Sequence, residues 1–422
     1  MVYATSSPSR HGCPRIRGSA AASNHGGVSS GPPAADPARE WGRSGLAYLT
    51  GLPGPEFHAP DFSRAGVLEH ARRLAPDAAT WLTGRAALLG LTRAGRVSAG
   101  GATQLLAARD GWCAITLSRP DDVAAVPALL SADTVGADPW PALRRWVATR
   151  PATQIVERAA LLDIPAAVLG ETAAASPRVR ETGPREQLNG PAGLLVADLS
   201  SMWAGPLCGQ LLARAGATVV KVESPARPDG TRAGNPKFFD WINGSKLSYC
   251  LDFDRQAGEL RDLLTVADVV IEGSRPDALA RRRLGPDDIP PRAGRTWLRI
   301  TGHGPQSRRP AFGDDAAVAG GLVGGFVRGG PVFCGDAIAD PLTGLEAARA
   351  VLDSLHRGGG ELIELAMAAV AATYAAVPTC PARSDQPVFA PQAPDVAGVA
   401  AVLGADNDAV RHLVAERRCL SC

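Results

Sequence analysis

The chain has 422 residues, enough for two buried cores, with a net charge of +2, 20% charged residues and 45% apolar residues. That balance excludes a disordered chain and a protein built to coat nucleic acid. The longest apolar stretches, such as 366–377, are too short and too alanine-rich to span a bilayer, and eight cysteines lie scattered without metal-ligand or disulfide spacing. The expectation is a soluble protein of the reducing cytoplasm, with no membrane or nucleic-acid partner.

Residues 1–40 are rich in Ser, Gly, Pro and Arg, carry no acid before Asp36 and show no apolar periodicity, so they read as a disordered tail. From 41 to 170 the spacing predicts a smaller α+β domain. A hairpin, 104–107 with 112–117, flanks Asp110-Gly111, a dipeptide suited to a type I′ turn, and helical spacing follows over 120–130, 140–149 and 153–162. The stretch 171–189 lacks regular apolar spacing and reads as a linker.

Strand-like runs at 194–199, 218–222, 268–271 and 297–300 then alternate with helical segments, which predicts a parallel sheet with helices on its faces. The fold class is therefore α/β: a Rossmann-like sheet over 190–378 beside the smaller α+β domain, followed by a partly helical tail over 379–422. The turn 200–209 after the first strand is of the nucleotide-binding βαβ type, but GxGxxG is absent, which disfavours an NAD site. Glu223, at the end of the second strand, reads equally as a ribose ligand or a solvated carboxylate. Against 41 arginines stand only three lysines, Lys221, Lys237 and Lys246, clustered within 26 residues. Such clustering points to a site that prefers compact point charges, or to a solvated face.

Several ordered motifs then carry a resemblance. Val196-Ala-Asp-Leu-Ser-Ser-Met-Trp-Ala-Gly-Pro, Gly216-Ala-Thr-Val-Val-Lys-Val-Glu, Asp229-Gly-Thr-Arg, Asn243-Gly-Ser-Lys, Ala267-Asp-Val-Val-Ile-Glu-Gly-Ser-Arg-Pro and Ala339-Asp-Pro-Leu-Thr-Gly-Leu resemble the family III CoA-transferases, which include formyl-CoA and carnitine CoA-transferases. The resemblance implies an acyl-CoA:carboxylate CoA-transferase that uses a CoA thioester as substrate, holds no tightly bound cofactor, takes a carboxylic acid as acceptor and forms a homodimer. It assigns Asp340 as nucleophile, a carboxylate expected to be ionised at pH 7 and to need no general base. Read alone, Asp340-Pro341 with the apolar spacing that follows is a helix cap with Pro at the first helical position.

By the same resemblance, Met202, Trp203 and Ala204 lie beside CoA, and Lys221, Arg232, Lys246 and Arg275 are candidate neighbours of its phosphates. Ser224 and Gly273-Ser274 depart from the family pattern. In the first half, Asp110-Gly-Trp-Cys-Ala-Ile, Trp146 with Arg150, and 161–167 resemble the smaller domain that usually follows the nucleophile, so the segment order is like a circular permutation. Gly100-Gly101 reads as part of a loop over the site or as a plain turn. Two rivals remain: an α-methylacyl-CoA racemase, whose partner histidine is replaced in Phe312-Gly313-Asp314-Asp315, and a non-catalytic acyl-CoA-binding relative. His303 reads as filling an aromatic position.

Overall fold

The computed structural model describes residues 37–54, 62–187, 190–273, 277–378, 380–381 and 387–420. The expected tail falls almost wholly outside them, although a helix, Pro37–Arg43, begins within its last residues. Two helices follow, α1 (Ala65–Leu74) and α2 (Ala78–Leu89). Almost continuously buried runs then form β1 (Thr103–Ala107) and β2 (Trp112–Thr116), antiparallel, with β3 (Ala166–Val168) on the other side of β2. Helices α3 (Trp140–Val147) and α4 (Ala152–Leu161) cover this small sheet and share a core of Leu106, Cys113, Ile115, Leu143, Val147 and Ile155.

The hairpin turn differs from expectation. The Ala108 amide donates to the Gly111 carbonyl at 2.9 Å, which leaves Arg109-Asp110 as the central pair, and neither has the positive φ of a type I′ turn. Asp110 instead accepts the Ala152 N–H at 2.8 Å, satisfying an orphan donor at the start of α4.

The central sheet has seven strands. In chain order they are β4 (Arg178–Glu181), β5 (Leu195–Asp198), β6 (Thr218–Glu223), β7 (Leu247–Cys250), β8 (Val269–Glu272), β9 (Thr296–Thr301) and β10 (Glu361–Ala366). In space the order is β4-β10-β9-β8-β5-β6-β7, parallel throughout except for the antiparallel pairing of β4 with β10. Without β4 this is the strand order of doubly wound nucleotide-binding sheets. Near-continuous apolar runs arise because both faces are buried. Val269 and Ile271 enter one core while Val270 enters the other. Helices α5 (Ala204–Arg214), α9 (Ala339–His356) and α10 (Met367–Ala375) close the first face, and α7 (Ala257–Val266) and α11 (Asn407–Leu420) the second. Two further helices, α6 (Pro236–Asn243) and α8 (Gly313–Ala319), border the site described below. No described helix is long and apolar enough to cross a membrane.

The stretch 171–189 is more than a linker, because it contains β4. All four β4 residues are exposed, so no apolar alternation marked the strand in the sequence.

Strand order reverses between β5 and β8, where doubly wound sheets leave a crevice outside the strand ends. The chain turns there from β5 into α5, and Gly205 makes the turn possible, since a Cβ at that position would run into the Ser200 side chain. Gly205→Ala is therefore expected to destabilise the fold by about 1–3 kcal/mol, the usual cost of overpacking, as measured by the chemical denaturation midpoint.

Candidate active site

A cavity of about 240 Å³ opens at this crevice. Its floor is the turn after β5. Met202 is held at φ 73°, a left-handed conformation uncommon for a side-chain-bearing residue, and its N–H lies 3.2 Å from both carboxylate oxygens of Asp229. Asp229 also takes the Thr231 N–H at 3.0 Å and its hydroxyl at 2.7 Å, and pairs with Lys221 at 2.6 Å. Lys221 in turn donates to the Ser200 carbonyl. Trp203, next in the chain, meets Phe238 of α6 edge to face at 5.4 Å, and the Arg85 guanidinium of α2 lies 5.7 Å from the centre of each ring.

The opposite wall carries carboxylates. Asp340, the second residue of α9, lines the cavity, and its Oδ2 accepts the Gly313 N–H at 3.1 Å. Asp314 accepts the Ala337 N–H at 3.0 Å and the Thr103 hydroxyl at 3.2 Å. Asp315 accepts the Thr116 hydroxyl and the Phe312 N–H, each at 3.0 Å. Asp336 takes one Arg85 nitrogen on both oxygens, at 2.6 and 2.7 Å. Burial drives these acids toward their neutral forms, and neighbouring carboxylates add to it for Asp340, Asp314 and Asp315, while Arg85 opposes it at Asp336. Asp340 is pushed up to about 7, against the pull of Arg85, Asp315 to about 7 and Asp314 to about 6. Burial works against the charge on Arg85, but Asp336 more than offsets it and holds the guanidinium above its usual range. The carboxylate expected to be fully ionised at pH 7 thus sits near its titration point.

Of the residues anticipated from sequence, Asp340, Met202 and Trp203 meet in this cavity. Asp340 does not cap its own helix: the N-cap position is Ile338, and the Asp340 carboxylate reaches instead to the start of α8. Ala204 is buried at the head of α5, with its carbonyl toward Gly344 of α9, and does not line the cavity.

Lys221, Lys246 and Arg232, expected beside the CoA phosphates, do not line the cavity. Lys221 and Lys246 are buried, the latter donating to Asp198 at 2.8 Å and to the Pro206 carbonyl at 2.7 Å. Against the cost of burial, Lys246 and Lys221 keep Asp198 below the usual carboxylate range, and Lys221 does the same for Asp229. Arg232 forks onto buried Glu223, at 2.6 Å for the closest contact, and stacks on Phe239. Glu223 is accordingly a buried, paired acid rather than a solvated one. All three cations tie loops together, and Lys237 is the exposed lysine of the cluster. Arg275 lies outside the described residues. His303 is largely buried away from the cavity lining, and burial, then Arg309, lowers its pKa to about 4.

The sequence reading missed Arg85, Asp336, Thr103 and Thr116. Arg85 was one arginine among 41. Asp314 and Asp315 were noticed only as the absence of a histidine. Gly100, flagged as a possible loop over the site, does line the cavity.

A doubly wound sheet with a partly buried carboxylate, Asp340, facing its switch-point cavity defines the α/β class and the candidate site. Residues 192–403, half of the chain, match the model of CoA-transferase family III, and the chain belongs to that family. It is 35% identical over 198 residues to the succinyl-CoA–L-malate CoA-transferase beta subunit of Chloroflexus aurantiacus, covering 42% of this chain and 48% of that one. It is 33% identical over 193 residues to a formyl-CoA:oxalate CoA-transferase of Rhodopseudomonas palustris, covering 42% and 45%. The chain spans about half the length of the curated relatives it matches. Among solved structures, a CAIB/BAIF family protein from Brucella suis is 29% identical, with a TM-score of 0.40 over 44% of this chain and 55% of that one. Arg85, Gly100, Thr103, Thr116 and Ser118 line the cavity from ahead of the family-matched residues.

If Lys221 is a loop anchor, Lys221→Met strands the buried Asp229 carboxylate and is expected to lower folding stability by about 3–5 kcal/mol in equilibrium unfolding. A phosphate ligand would instead lose CoA affinity with stability intact.

Proposed function

We propose that this protein moves coenzyme A from an acyl-CoA donor to a carboxylic acid acceptor, with Asp340 as nucleophile. The supporting observation is the Asp340 carboxylate itself, which lines the cavity under the β5 turn and is fixed by the Gly313 N–H.

The chemistry is four acyl transfers that balance without a redox partner. The Asp340 carboxylate oxygen attacks the donor's thioester carbonyl, a C–O bond forms, the C–S bond breaks and CoA thiolate leaves a mixed anhydride. Thiolate then attacks the aspartyl carbonyl, releases the donor acid as its carboxylate and leaves an aspartyl-CoA thioester. An acceptor carboxylate attacks that carbonyl and expels thiolate, and thiolate finally takes the acceptor's acyl carbon and restores Asp340. No step needs a general base, but the first needs an ionised aspartate. With the Asp340 pKa near 7, the reactive fraction is lost as pH falls through 7 and is complete well above it.

The relatives' names specify malate and oxalate as acids. They support the reaction type in this chain and leave its own acyl group to be argued from the cavity.

Intact mass spectrometry after mixing with an acyl-CoA should show CoA attached to wild type, with a rate that rises between pH 6 and 8 about an apparent pKa near 7. Asp340→Asn keeps the Gly313 hydrogen bond and cannot form the anhydride, so it should gain no mass. Turnover by that variant would remove Asp340 as nucleophile.

One observation favours a second reading. Asp314, pushed up to about 6, faces the same cavity as Asp340, and two carboxyls near working pH are what α-proton exchange in a thioester asks for. Transfer is preferred because Asp314 is already committed to Thr103 and the Ala337 N–H. Incubation with a 2-methylacyl-CoA in D₂O should therefore leave no deuterium at the α-carbon above the protein-free rate. Exchange that disappears in Asp340→Asn would favour the racemase.

A further inference from the structure

The CoA-transfer reading leaves open which acids the cavity takes, and the charges and surfaces around Asp340 bear on that choice. Among the described residues that line the cavity, Arg85 is the one cation. It is already paired, since Asp336 takes the same guanidinium nitrogen on both oxygens at 2.6 and 2.7 Å and is itself almost wholly buried. The pair sums to no net charge. What remains around it is Asp340 and Asp314, each neutral or negative, so with the Arg85–Asp336 pair intact the described lining presents no net positive charge to a substrate.

Apolar side chains, Leu89, Ala102, Met202, Trp203, Phe238 and Phe312, make up much of the remaining lining, and its polar members, among them Thr103, Thr116 and Ser118, carry no charge. An acyl group buried there exchanges water for aromatic and aliphatic contacts, which is favourable for hydrocarbon. A second carboxylate on the acyl chain would be stripped of water without a counter-charge and set against like charge. The cavity, about 240 Å³, exceeds the roughly 150 Å³ of an engineered apolar cavity that takes up benzene. It thus has room for a ring.

We propose that the acyl group handled at Asp340 is an uncharged hydrocarbon body of about six to ten carbons, ring-containing or branched, on a monocarboxylic acid, and that the Arg85–Asp336 pair, by consuming the cation of the described lining, disfavours dicarboxylic acids. This inference rests on the CoA-transfer reading and adds the substrate class to it. Asp336 acts here through Arg85 and touches no reacting atom; its role is in specificity.

The test measures the second-order rate at which full-length protein acquires CoA on Asp340 from cyclohexanecarboxyl-CoA and from succinyl-CoA. Both donors leave the same aspartyl-CoA thioester and release different acids, so one mass shift reports both. The ring thioester should react faster by about tenfold or more. In Asp336→Asn, whose carboxamide keeps the shape and frees the Arg85 charge, the ratio should fall toward parity by about tenfold through a gain for succinyl-CoA. Because the readout is a ratio, any change in Asp340 reactivity common to both donors cancels.

Comparable or faster reaction of succinyl-CoA with wild type overturns the inference while leaving Asp340 as nucleophile. An unchanged ratio in folded Asp336→Asn overturns the role given to the ion pair. Absence of a CoA adduct from either donor overturns the CoA-transfer reading, and this inference falls with it. Should Asp336→Asn not fold, the wild-type comparison alone decides the substrate class.

Discussion

Two lysine–aspartate pairs buried at the carboxyl edge of the central sheet fix the geometry on which the cavity depends. A buried ammonium is tolerated only when its charge is matched and its N–H donors are filled. Lys221 meets that demand with Asp229 and the Ser200 carbonyl, and Lys246 with Asp198 and the Pro206 carbonyl. Each lysine therefore joins segments far apart in sequence: strand β6 or the approach to β7, the turn after β5, the first turn of α5, and the short helix Gly230–Ala233 that follows Asp229. The uncommon conformation of Met202 persists because Asp229 receives its N–H on one side while Trp203 is locked against Phe238 on the other.

On the far wall the economy is reversed. Asp315 and Asp336 are buried and Asp314 and Asp340 partly so, and Arg85 is the cation placed among them. One guanidinium cannot neutralise four carboxylates, so those without a full partner hold protons into the neutral range. Desolvation raises the energy of the carboxylate form, and that form is the one an acyl transfer consumes. Backbone N–H groups from Gly313, Ala337 and Phe312 each hold one of these acids in place. Reactivity and position are thus set by different groups: burial sets the first, and amides at the start of α8 and before α9 set most of the second.

Much of the sheet was legible in the sequence, because strands buried on both faces must be continuously apolar, and the runs around Val196, Val219, Val270 and Leu298 are. Strand β7 was not, since Leu247-Ser-Tyr-Cys carries no comparable run, and β4 was hidden by its full exposure. Asp340 was found through ordered motifs, as were Met202 and Trp203. The lysines stand out in the sequence by their rarity, and the structure sets Lys221 and Lys246 against aspartates. Sequence registers that a cation is unusual, whereas only packing decides whether it faces a phosphate or a neighbouring aspartate. Arg85 and Asp336 lie 251 residues apart, and no local pattern in the chain announces that a helix ahead of the small sheet will meet the turn ahead of α9.

That meeting also explains how a chain with this segment order closes one cavity. The small sheet lies against α8 through Leu105, Ala114, Val318 and Phe333, and polar bonds from Thr103 and Thr116 to Asp314 and Asp315 run along the same seam. The chain leaves β3 at this seam, where the Gly170 and Thr172 amides donate to the carbonyls of Val318 and Ala319, each at 2.9 Å. From there it must reach β5 in the middle of the central sheet. The route past β10 lets it pair antiparallel as β4, and the Arg and Glu side chains of β4 leave the new outer edge charged and poorly suited to pairing with another chain. A segment that reads as a linker therefore does two physical jobs: it returns the chain to the start of the βαβ unit, and it covers the β10 edge that the doubly wound order would otherwise leave bare.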